Sequence, residues 1–192
     1  LHGSSAASDV YKRQVSGVTA SDKTYDGSVT ATMDGTAAVY SGLVSGDTFN
    51  GSYTGVFSDA NVGTGKTVTI TPSYSGADVN NYSVTDQSTT TADISAKALT
   101  ATASASNKTY DGGTTASTTL TFTGLVGSET LGQTVGSTFD NKNVGTGKTV
   151  TVNSITLADG SGLAANYSIS AGQTTTANIT AKSLTVSGIT AS

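Results

Sequence analysis

The chain has 192 residues, a formal net charge of −4 and a pI near 4.6. Its only arginine is Arg13, so it lacks the clustered cations that phosphate backbones require; no nucleic-acid partner is expected, and anionic membrane surfaces are disfavoured likewise. It has no cysteine, which removes disulfide frameworks, thiolate metal sites and cysteine nucleophiles together.

The composition is biased: 37 Thr, 27 Ser, 23 Gly and 12 Asp stand against a single Glu, Glu129. Thr suits a half-exposed pleated surface, Asp and Gly suit turns, and the residues that favour helices are scarce, so the expected class is all-β. No apolar run reaches the roughly 18 residues of a membrane span, so no membrane insertion is expected of this segment.

Residues 1–14 contain the only His and the only Arg and match nothing else in the chain. They read as a non-repeat leader, disordered or adventitious. A first module is expected over 15–97. It opens with KTYDG at 23–27, then carries turn signals at Asp34-Gly35, Ser45-Gly46-Asp47 and Gly63-Thr64-Gly65. In TVTIT at 67–71, Val68 and Ile70 share one face; in TTTADISAK at 89–97, Ala92, Ile94 and Ala96 do the same. Such alternation predicts half-buried strands of an antiparallel sheet.

A second module is expected over 98–182, because the same blocks return in order. KTYDG recurs at 108–112, 85 residues on; NVGTGKTV of 61–68 recurs at 143–150, 82 on; NYS of 81–83 recurs at 166–168 and TTTADISAK as TTTANITAK at 174–182, both 85 on. The changing offset marks insertions between shared blocks, where loops should lie. VSGITAS at 186–192 echoes VSGVTAS at 15–21, so 183–192 read as the start of a third copy in a longer array.

Turn spacing leaves room for about seven strands per module, the pattern of an immunoglobulin-like β-sandwich. A β-grasp-like module is the alternative, but it needs a helix, and no stretch has the 3.6-residue period of one. Residues 89–106 contain no Gly or Pro, so the modules are expected to join without a flexible linker, as an elongated, stiff array.

At KTYDG, GLVSGDTF, FSDANVGTGKTVTI, NYSV and TTTADISAK the sequence resembles the YDG repeat of filamentous-haemagglutinin-like adhesins and other giant bacterial surface proteins. The resemblance implies an extracellular, cell-surface location and a stalk or adhesive role. Implied partners are neighbouring repeats of the same chain and host glycans or matrix proteins; self-association in a biofilm is a further reading. Two departures stand out: SAK and TAK occupy positions where such repeats often carry Pro before Lys, and the second copy has GSET in place of SGDT.

The motif residues read first as framework: Lys23, Gly27, Asn61, Gly63, Gly65, Asn81 and Tyr82 in the first copy, and Lys108, Gly112, Asn143, Gly145, Gly147, Asn166 and Tyr167 in the second. GTGKT superficially resembles a phosphate loop, but the glycine required five residues upstream is Ala60 or Lys142, and a strand follows instead of a helix. A hairpin turn is expected there. Tyr25 with Asp26, and Tyr110 with Asp111, are candidate contacts for a sugar, through ring stacking and acceptance of hydroxyl bonds; their structural reading is a packed Tyr beside an Asp-Gly turn, with the stem of Lys23 or Lys108 over an apolar edge. Tyr82 and Tyr167 read as core or tyrosine-corner residues.

No catalytic residue is expected, since the modules hold no His or Cys and their acids fall at scattered turns. No cofactor is expected either. Structural calcium is the one metal considered, with Asp47, Asp59, Asp78, Asp140 and Asp159 as loop oxygen donors that lack EF-hand spacing.

Overall fold

The structure, a computed structural model, describes residues 13–188. Two compact units divide the chain, Leu1–Ala96 and Lys97–Ser192. The expected leader lies outside the described residues except for positions 13 and 14, which open the first strand. Of the expected third copy, residues 183–188 are described and carry no strand.

Unit 1 contains β1 (Arg13–Ser16), β2 (Thr19–Ala20), β3 (Lys23–Thr24), β4 (Thr30–Ala31), β5 (Met33–Asp34), β6 (Val39–Tyr40), β7 (Asn50–Phe57), β8 (Gly63–Ser75), β9 (Val84–Thr85) and β10 (Thr89–Ser95). A five-stranded sheet runs β3-β10-β8-β7-β4, and a smaller layer is made of β6-β1-β9 with β2-β5. Unit 2 continues with β11 (Lys97–Ala98), β12 (Thr100–Ala105), β13 (Lys108–Thr109), β14 (Thr115–Ala116), β15 (Thr118–Thr123), β16 (Leu131–Phe139), β17 (Gly145–Asp159), β18 (Tyr167–Ser168) and β19 (Thr174–Thr180). Its five-stranded sheet, β13-β19-β17-β16-β14, repeats the first, beside the pairs β12-β15 and β11-β18. The protein is all-β with a sandwich-like layout. Among the described residues helical structure is limited to two 3-10 turns, Val79–Asn81 and Ala164–Asn166, so the β-grasp alternative does not describe either unit.

The alternation that marks the strands also builds the core. Val68 in β8 and Val150 in β17 are fully buried, while Thr67, Thr69, Val56 and Val144 are exposed. In unit 1, Val15 and Val18 from the small layer pack against Ile70 of the large sheet, with Tyr40, Tyr53 and Tyr74 around them. In unit 2, Phe139, Val150 and Ile179 cluster with Ala105 and Tyr110. Burying each such Val, Ile or Phe contributes about 1.5–3 kcal/mol. Pro72 is tolerated inside β8 because it lies beyond Thr69, the last residue of that strand paired with β10.

The pairing departs from a purely antiparallel expectation. β3 runs parallel to β10 and β13 parallel to β19, as β1 does to β9 and β11 to β18. The change of offset also has a structural outcome: the single strand β15 of unit 2 corresponds in unit 1 to two short strands, β5 and β6, separated by a turn at Gly35 to Ala38. Opposite that turn Gly17 adopts φ +83, and a side chain there would meet the Ala37 carbonyl at 2.3 Å.

Candidate functional site

The KTYDG segments begin in β3 and β13, and their turns fold around the lysines. Lys23 Nζ donates to Asp26 Oδ1 (2.7 Å) and to the carbonyls of Ser28 (2.7 Å) and Thr30 (3.2 Å), and sits 5.5 Å from the centre of the Phe57 ring. Lys108 does the same with Asp111 (2.8 Å), Gly113 (2.8 Å), Thr115 (3.1 Å) and Phe139 (5.6 Å). Asp26 and Asp111 also accept the backbone N–H of Ser28 and Gly113, closing Asx turns in which Gly27 and Gly112 have φ of 77° and 83°. The bond from lysine, then the backbone bond, hold both carboxyls below the usual aspartate range.

This arrangement bears on the sugar-contact reading. Tyr25 is only 6% exposed, and its N–H is bonded to the Ser95 carbonyl; Tyr110 is half-buried against the Phe139 cluster. Tyr25 presents no open ring face for stacking, and Asp26 and Asp111 are already engaged by a cation. The four residues meet as parts of two structural loops.

GTGKT is not a hairpin turn. Gly63 and Gly145 begin the long strands β8 and β17, and the next two residues form a β-bulge against β10 and β19. Gly65 and Gly147 take φ of 59° and 61° there, which explains the second glycine of the motif. Their N–H groups donate to Asp93 Oδ1 (2.7 Å) and Asn178 Oδ1 (2.8 Å). Lys66 turns back to Asp59 (2.8 and 2.9 Å), and Lys148 to Asp140 and Asn141 (2.8 and 2.7 Å). Asn61 and Asn143 donate their N–H groups to the side chains two residues earlier, Asp59 and Asn141. The groups a phosphate would need are therefore bonded within each unit.

The NYS motifs close the 3-10 turns. Asn81 is exposed whereas Asn166 is 1% exposed, a difference the shared motif does not predict. Tyr82 donates its hydroxyl to Asp47 and accepts the N–H of Val44; Tyr167 donates to Glu129 (2.5 Å) and accepts the N–H of Val126 (2.9 Å). SGDT and GSET thus keep a carboxylate at one place.

Each acid considered for calcium has a bond of its own: Asp47 to Tyr82, Asp59 to Lys66, Asp78 to the N–H of Thr48, Asp140 to Lys148 and Asp159 to the N–H of Ala164. Among the described residues no group of three His, Cys, Asp or Glu could hold a metal ion. Sequence reasoning missed a further pair of latches, Asp22 accepting the N–H of Asp93 (2.7 Å) and Asn107 accepting that of Asn178 (2.6 Å). Their only signal was the 85-residue spacing of an amide or acid just before KTYDG.

No curated protein and no solved structure matches the chain. The YDG domain matches twice, at residues 11–92 and 95–177. These spans take in both lysine-centred YDG loops, both bulges and both tyrosine–carboxylate bonds, and the chain belongs to the YDG domain family, of which it carries two copies.

Proposed function

We propose that the two modules are load-bearing spacer repeats of a secreted bacterial surface adhesin of the filamentous-haemagglutinin type, holding a distal domain away from the cell. The observation that carries this reading is the parallel pairing of an early with a late strand in each unit, β3 with β10 and β13 with β19. Pulling the ends of a module in opposite directions loads a parallel pair in shear, so several hydrogen bonds must fail together. That clamp includes the N–H of Tyr25 on Ser95 (2.9 Å), the N–H of Tyr110 on Thr180 (2.8 Å) and the Asp22 and Asn107 latches. The engagement of the motif side chains within their own units, and the absence of cysteine, fit a role that is mechanical and extracellular.

Force spectroscopy on the two-module chain tests it. Two discrete unfolding events are expected, each releasing about 30 nm of chain. The double variant Asp22→Ala, Asn107→Ala should unfold at clearly lower force. Extension without discrete events would refute the load-bearing role. Specific binding of the folded pair on a glycan array would replace the spacer reading with a directly adhesive one.

A further inference from the structure

Among the described residues, the N–H and C=O groups on one side of β12 have no strand beside them. β12 pairs with β15 alone among the described strands, and the bond from Ser106 N–H to the Ser117 carbonyl sets the phase of that ladder. Counting back by twos, Ser104, Thr102 and Thr100 exchange bonds with β15, so Ala101 and Ala103 direct their backbone groups the opposite way. Leu120, across from Ala103, agrees with this phase: its N–H and C=O turn away from β12 and are bonded by the Gln133 carboxamide (3.1 and 2.7 Å).

The corresponding edge of unit 1 is closed. Gln87 accepts the N–H of Val18 (3.0 Å) and donates to its carbonyl (2.7 Å), imitating a neighbouring strand. In unit 2 Gly172 stands at the position of Gln87 and supplies no carboxamide; the next residue, Gln173, donates to the Ser170 carbonyl, and its Oε1 is buried with no hydrogen-bond partner. A cleft of about 540 Å³ lies there, between Leu99 to Ala101 on one side and Ser170 to Gln173 on the other. Edge strands are ordinarily blunted by charge, proline or a bulge; TATASA of β12 has none of these.

We infer that this edge pairs with the same edge of a second copy of the chain, antiparallel about a twofold axis through Thr102. Ala101 of each copy then exchanges both backbone bonds with Ala103 of the other, and Thr102 faces Thr102. The strand suits itself as a partner: it carries no charge, its outward side chains are Thr and Ser, and its small Ala side chains face its own module. A twofold contact also uses one patch twice, as closed homodimers do. The proposal stands whether or not the modules bear load.

The chain's lack of cysteine makes the test direct. A Thr102→Cys variant should form a covalent dimer under mild oxidation, because residues facing each other at a non-hydrogen-bonded antiparallel position lie about 4.5 Å apart at Cα, within disulfide reach. Sedimentation of the unmodified chain should show a monomer–dimer equilibrium. Thr102→Lys, which alters only an exposed side chain, should weaken it at least tenfold with unchanged circular dichroism. Gln87→Ala should strengthen association or raise its order by opening the unit 1 edge. A chain that stays monomeric at high concentration, a Thr102→Cys variant that cross-links no faster than a Thr146→Cys control, or a folded Thr102→Lys variant that dimerises like the parent would overturn the proposal.

Discussion

The hydroxyl of Tyr167 donates to the Glu129 carboxylate at 2.5 Å, and the residues at the same repeat positions in unit 1, Tyr82 and Asp47, make the same bond. Replacing Tyr167 by Phe keeps the ring and removes the hydroxyl, leaving the Val126 N–H and the carboxylate without it. A loss of about 1–3 kcal/mol is expected in urea unfolding, with Glu129→Gln milder because a carboxamide still accepts.

Lys23→Met is expected to loosen the YDG loop of unit 1. The stem can still cover Phe57, but the Ser28 and Thr30 carbonyls lose their charged donor. About 1–3 kcal/mol should be lost, with faster amide exchange at Ser28 as the local readout. Lys108→Met should act alike in unit 2.

At acid pH the same lysines matter again. Asp26, Asp59, Asp111 and Asp140 have carboxyls held below their ordinary value, in each case first by a lysine bond. A lowered folded-state pKa gives stability that is present above about pH 4 and lost as the pH falls through the folded value. Acid titration of the melting temperature should therefore show a decline beginning near pH 4, flatter in the Lys23→Met, Lys108→Met double variant.

Alkaline pH should act on unit 1 through Tyr53 and Tyr74. Burial raises both phenols, followed by the bond to Tyr40 for the first and to Asp86 for the second. The sign is opposite to that of the acids. The stabilisation is complete below about pH 10 and is lost as the pH rises further. Tyrosinate absorbance should thus lag behind a free-tyrosine curve and then rise together with the loss of β-sheet circular dichroism; ordinary titration of all tyrosines before any loss would contradict this.

Gly65→Ala tests the bulge. No atom lies within 4 Å of the added methyl group, so only the left-handed backbone opposes it, at about 1–2 kcal/mol. Gly147→Ala should cost the same in unit 2, and Gly65→Asn less, because Asn tolerates that conformation.

The all-β class, the duplication and the buried faces of β8 and β10 were legible in the sequence, because alternation and turn chemistry are local properties of the chain. Val68 and Ile70 alternate with Thr whatever lies beside them. What stands beside each strand was not legible. That Asp93 receives the N–H of Gly65, that β3 runs parallel to β10, and that Gln87 closes an edge left open in unit 2 depend on residues 28 to 71 positions apart. A glycine pair reads alike as a hairpin turn or a bulge until its partner strand is known, and a tyrosine reads alike as surface or core until the opposite layer covers it. Local preference chose the elements; packing between layers decided which bonds they make.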